Sequence, residues 1–131
     1  SYDVHVPHDA PYTGADLDRE LLATLERYGL DSKVELVVAD SRTVEPPPRP
    51  VDLLLVDGDH SYAGVSADWE HWRPRLAPGA NVLFHDAVAS GGFGTSVADV
   101  ERFVSELEAQ NDLERQPNAG GIAHFVYRPS A

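Results

Sequence analysis

The chain of 131 residues contains no cysteine. That excludes disulfides, zinc–thiolate centres and iron–sulfur clusters, and leaves any metal to Asp, Glu, His, carbonyls or water. Basic residues are scarce, with 10 Lys and Arg against 22 Asp and Glu and a formal net charge of -12. Such a field repels phosphate backbones and anionic head groups, which argues against nucleic acid and membrane surfaces as partners and favours cations, divalent metals among them. Long apolar runs are missing too. No stretch approaches the roughly 20 residues that span a bilayer and no signal-peptide pattern opens the chain, so a cytoplasmic location is expected. The first residue is Ser1 rather than Met, which suggests that the numbering starts inside a longer gene product.

Hydrophobic residues make up 42% of the chain and charged residues 24%, the balance of one compact domain. Tyr2 to Val6 reads as a short strand ending at Pro7. Leu17, Leu21, Leu22, Leu25 and Tyr28 share one helical face, with Gly29 placed to end the helix. Val34 to Ala39 is short, β-branched and apolar, as a buried parallel strand would be. The proline-rich run Glu45 to Pro50 is an extended connection. Val51 to Asp57 is the clearest strand. Ser61 caps a helix carrying Val65, Trp69 and Trp72, which Pro74 and Gly79 stop, and Ala80 to His85 is another buried strand. Ser96 with Asp99 resembles a helix start, and Val97, Val100, Phe103, Val104 and Leu107 form its buried face. Gly120 and Gly121 lead into a last strand, Ile122 to Tyr127. Alternating strands and helices indicate a layered α/β fold with a largely parallel sheet.

In open α/β sheets, ligands sit beyond the carboxyl ends of the strands. Three polar groups fall there: Asp40-Ser41, Asp57-Gly58-Asp59-His60 and His85-Asp86. Asp57 and Asp86 offer hard oxygens suited to Mg²⁺ or Ca²⁺. His60 is of the type that exchanges protons near neutrality, and it can either take a proton from a bound hydroxyl or pack against the helix start. His85 reads as a metal ligand, a partner of one, or a strand-end core residue. His5, His8, His71 and His124 have no ligand spacing. Trp69 and Trp72 read as core. The Gly91-Gly92-Phe93-Gly94 stretch lacks the strand before and lysine after that a phosphate loop needs, and suits a lid.

The stretch Val51 to Val88, with D-G-D-H-S-Y at Asp57 to Tyr62 and H-D at His85-Asp86, resembles the second half of a class I S-adenosylmethionine-dependent methyltransferase domain. It is most similar to the group of sugar and macrolide O-methyltransferases, related to the catechol O-methyltransferase type. The resemblance implies a Rossmann-like three-layer α/β/α sandwich with a mostly parallel sheet and an antiparallel C-terminal strand. It implies S-adenosylmethionine as cofactor, Mg²⁺ held by Asp57, Asp86 and His85, His60 as general base, and Asp40, Ser41 and Asp57 near the cofactor. A hydroxyl of a small molecule, a sugar or a natural product, would be the methyl acceptor. Assembly into a homo-oligomer is left open.

Two departures accompany it. Ala87 follows Asp86 where relatives place a third metal ligand. The E-x-G-x-x-x-G turn that wraps the cofactor's methionine part is not recognisable: Gly14 is isolated, and Asp3 and Asp9 are the substitutes for the ribose-binding acid. The domain is therefore expected to lack its first strand and to be truncated at its N-terminus. Two other readings stay open: a noncatalytic methyltransferase-like binding module, and a metal-assisted hydrolase or nucleotide binder on a similar sheet.

Overall fold

The computed structural model describes residues 2–3, 14–89 and 97–130. The chain divides into two compact units, Ser1–Val44 and Glu45–Ala131, and the boundary falls at the proline-rich run. No described helix is long and apolar enough to cross a membrane.

In the first unit, strand β1 (Tyr2–Asp3) pairs in parallel with β2 (Val37–Val38), and helix α1 (Gly14–Arg27) lies between them in sequence. Gly29 adopts φ +65, the left-handed turn that ends a helix without a Cβ penalty. The helical face is less buried than its spacing predicts. Leu25 is buried, whereas Leu22 and Tyr28 are exposed. The strand expected over Val34 to Ala39 contracts to two residues, with Val38 60% exposed. Among the described residues, β2 pairs with β1 at Tyr2–Val37 and Asp3–Val38. The rest of the strand expected to Val6, with Asp9, lies outside the described residues.

The second unit carries a four-stranded sheet in the order β3-β4-β6-β5. β3 (Val51–Val56) runs parallel to β4 (Leu76–Phe84), and helix α2 (Tyr62–Trp72) makes the crossover that parallel neighbours require. β6 (Ile122–Tyr127) is antiparallel to both β4 and β5 (Leu113–Ala119). The sheet is thus mixed: an antiparallel C-terminal strand was expected and is β6, while its second antiparallel neighbour, β5, was not foreseen. β5 went unrecognised because LERQPNA is polar and contains Pro117, features of an edge strand.

Two boundaries also moved. α2 ends in a 3₁₀ turn at Arg73–Arg75, so Gly79 does not stop it. Instead Gly79, at φ +88, lies inside β4 where the register with β3 shifts, a position that favours glycine. Helix α3 (Ala98–Leu107) starts after Val97; the Ser96 cap and the Gly91 to Gly94 lid fall outside the described residues.

The core lies on one face of this sheet. Leu54, Val56, Val82, Phe84, Ala123 and Phe125 point to it and are buried. Phe84 meets Trp69 of α2, Phe103 of α3 and Phe125, with ring centroids 5.8–6.2 Å apart, separations typical of favourable aromatic pairs. Trp69 and Trp72 are core residues, as read from sequence. On the alternate face, Leu53 and Leu55 are 58% and 49% exposed.

Candidate metal and reaction centre

The segment after β3 turns sharply because each residue of Asp57 to Tyr62 has a local task. Gly58 leaves room for the buried Asp68, whose Oδ2 would stand 3.3 Å from an added Cβ. Asp59 Oδ1 accepts the Ser61 amide at 2.9 Å, an Asx turn. Its carboxylate rests against Gly64, where any Cβ would overlap it. Ser61 takes extended backbone and its Oγ accepts the Gly64 amide at 3.0 Å, capping α2 as predicted. This folds His60 back toward the sheet.

The second half of the centre leaves the neighbouring parallel strand. The His85 amide donates to the Val56 carbonyl at 3.0 Å, so the ends of β3 and β4 stay in register. Asp86 adopts φ 52, a left-handed conformation that Asp tolerates better than most residues. Its corner is held on both sides: Val97 donates to the Asp86 carbonyl at 2.9 Å, and Ala87 donates to the Gly121 carbonyl at 3.0 Å.

Four side chains converge as a result. His85 Nδ1 lies 3.2 Å from both Asp57 Oδ1 and Asp86 Oδ2. His60 Nε2 lies 3.5 Å and 3.3 Å from the same two oxygens. One donor atom from each residue falls within 4.8 Å of all the others, the spacing of a set able to hold a metal ion. Both imidazole nitrogens are shut off from solvent and make no hydrogen bond. The contacts with the carboxylates are close but miss hydrogen-bond geometry, so the two nitrogens stand unsatisfied, at a cost that a bound partner would remove.

Asp40 and Ser41 lie at the end of β2, in the other unit. Arg42 takes up the Asp40 carboxylate through its backbone amide at 3.0 Å and its Nε and Nη2 at 2.8 Å. Much of the acceptor capacity expected to face a cofactor is therefore already used.

A polar bridge from α2 to α3 is invisible in the sequence pattern. The Tyr62 amide donates to Asp99 Oδ2 at 3.1 Å, the Tyr62 hydroxyl donates to Glu106, and Arg102 stacks over the Tyr62 ring at 4.4 Å. The hydrogen bond to Glu106 raises the Tyr62 pKa above its usual value. The same bond, then Arg102, holds Glu106 below the usual carboxylate range. Periodicity could not reveal these pairs, because their members belong to different helices. Elsewhere, His124 Nε2 sits 2.9 Å from Asn81 Oδ1 across β6 and β4, outside the cluster.

Comparison with known proteins bears on the family and the fold. Residues 4–87 match a protein family described as a methyltransferase domain. Over 78 residues the chain is 58% identical to an uncharacterized protein of Sinorhizobium fredii, covering 59% of this chain and 8% of that protein. Over 71 residues it is 34% identical to a caffeoyl-CoA O-methyltransferase of Stellaria longipes, covering 48% of this chain and 27% of the enzyme. The chain thus spans a small part of the curated relatives it matches. Among solved structures, the O-methyltransferase TomG of Streptomyces achromogenes, in complex with S-adenosylmethionine, superposes with a TM-score of 0.63 at 16% identity, over 88% of this chain and 59% of its own. That likeness is one of fold, and it places the strands and helices in a Rossmann-like α/β architecture. With the family match spanning well over half its length, the chain belongs to the methyltransferase-domain family.

Proposed function

We propose that this chain carries the reaction centre of an S-adenosylmethionine-dependent O-methyltransferase, assisted by a divalent cation, that acts on a hydroxyl of a small molecule such as a sugar or a natural product. The observation that carries the reading is the convergence of Asp57, His60, His85 and Asp86 at the ends of two adjacent parallel strands, where ligands of α/β sheets bind. In this reading Asp57, Asp86 and His85 hold the cation. Their two carboxylates bring a formal charge of about -2, which a divalent ion offsets. A bound cation would supply Lewis acidity toward the acceptor oxygen. His60 Nε2, lacking a hydrogen-bond partner, takes the acceptor's hydroxyl proton.

S-Adenosylmethionine supplies the electrophilic methyl group when bound. The described residues fit that cofactor less fully than they fit a cation, because Asp40 is engaged by Arg42 and no glycine-rich turn stands among them. Positioning of the acceptor oxygen by the cluster is accordingly the chain's main contribution to rate. The acidic net charge is compatible with a cationic sulfonium.

Calorimetric titration with S-adenosylhomocysteine, with and without a divalent ion, tests the reading, followed by methyl transfer from labelled S-adenosylmethionine to a panel of hydroxylated small molecules. Methyl transfer that falls in His60→Ala while cofactor binding persists would support it. An absence of cofactor binding by the full gene product would reject it in favour of a noncatalytic binding module.

A further inference from the structure

Resting on the reading of this cluster as a cation site, we propose that its ion is a nitrogen-accepting transition metal of the zinc or cobalt class rather than magnesium, selected by His85 Nδ1. Magnesium takes oxygen donors in near-octahedral array and keeps much of its water, whereas imidazole suits zinc, iron, nickel and cobalt. His85 presents its nitrogen to both carboxylates at 3.2 Å, so an ion held between Asp57 and Asp86 cannot avoid it.

The state of that nitrogen points the same way. Nδ1 is closed to solvent and makes no hydrogen bond, although two carboxylate oxygens lie within reach. A protonated Nδ1 donating to one of them would satisfy the group without any ion, but the contacts miss the required angles. A lone pair directed at a shared ion accounts for both the closeness and the misalignment. His60 Nε2 is in the same condition, and is near enough to act as a fourth donor when no acceptor hydroxyl is bound.

The spacing suits one shared ion: the four nitrogen–oxygen separations in the cluster are 3.2, 3.2, 3.3 and 3.5 Å, the range for neighbouring donors bound at about 2.0–2.1 Å, and every pair of donors lies within 4.8 Å. The backbone fixes the arrangement from both sides, through the His85 amide on Val56 and the Asp86 corner on Gly121.

The test uses the metal-stripped chain without cofactor, titrated separately with cobalt(II), zinc(II) and magnesium(II) chlorides. Cobalt should give the intense visible absorption of a four- or five-coordinate ion. Zinc should abolish that absorption, while magnesium in about hundredfold excess should leave it. Nitrogen NMR of the unmodified protein should show His85 shifted at Nδ1 by zinc, with Nε2 keeping its proton. His85→Asp should bind cobalt at least about tenfold more weakly and let magnesium compete. Displacement of cobalt by equimolar magnesium, or a His85 Nδ1 resonance unmoved at zinc saturation, would overturn the proposal; the NMR result stands even if the variant does not fold. Failure to bind any of the ions would remove both the ion assignment and the cation reading. S-Adenosylhomocysteine calorimetry on the same sample reports separately on the methyltransferase reading.

Discussion

The Tyr62 hydroxyl donates to the Glu106 carboxylate, tying the first turn of α2 to the last turn of α3. Because the bond lowers the Glu106 pKa, the stabilisation it provides is present above the ordinary carboxylate pKa and is lost as pH falls through the depressed value. The raised Tyr62 pKa works at the other end: its contribution is present below the ordinary phenol pKa and fades as pH rises through the folded value. Tyr62→Phe should remove the alkaline dependence and reduce the acid one, since Arg102 continues to lower Glu106. The loss near neutrality should be small, since both groups face solvent. A thermal-melt series across pH checks it.

Phe84→Ala should be the most damaging single change. Its side chain is fully buried among Trp69, Phe103 and Phe125, and truncation at such a site costs about 3–5 kcal/mol. Urea unfolding monitored by tryptophan fluorescence should register the loss, because Trp69 faces the cavity.

Gly64→Ala should destabilise by about 1–3 kcal/mol, the usual cost of an overpacked contact. The obstacle is the Asp59 side chain. Asp59→Gly in the same chain should recover part of the loss, and a double-mutant cycle should therefore show coupling. Additive effects would mean that the obstacle lies elsewhere.

Asp86→Gly should separate the fold from the site. Glycine accepts φ 52 freely, so stability should change by no more than about 1 kcal/mol, while cobalt affinity should drop by an order of magnitude or more for want of a carboxylate. Asp86→Val should lose both, since a β-branched residue is poorly accommodated there. Equilibrium unfolding and metal titration on the two variants check this.

The legible parts of the chain were the short apolar runs, although in β3 one face of that run is exposed. Val51 to Val56 and Val82 to Phe84 are apolar enough to be recognised as strands, and the polar residues that follow stand out because they interrupt such runs. Two adjacent parallel strands then bring Asp57, His60, His85 and Asp86 together without further information. β5 escaped notice for the opposite reason: an edge strand pairs on one side only and tolerates Glu114, Gln116 and Pro117. At Val34 to Ala39 apolar composition overstated the strand, because composition shows that a segment can pair and not over which residues it does. Bridges such as Tyr62 to Glu106 depend on how two helices are set side by side, which neither periodicity contains.

The amides of Ala87 and Val88 both hang on the carbonyl of Gly121, at the mouth of the hairpin between β5 and β6. During synthesis from the N-terminus, Asp57, His60 and His85 leave the ribosome well before that anchor exists. The corner bearing Asp86 can be set only once the hairpin has closed, so the cluster matures last. A ribosome-stalled chain ending before β5 would carry all four donors and still lack the Gly121 anchor that sets the corner at Asp86.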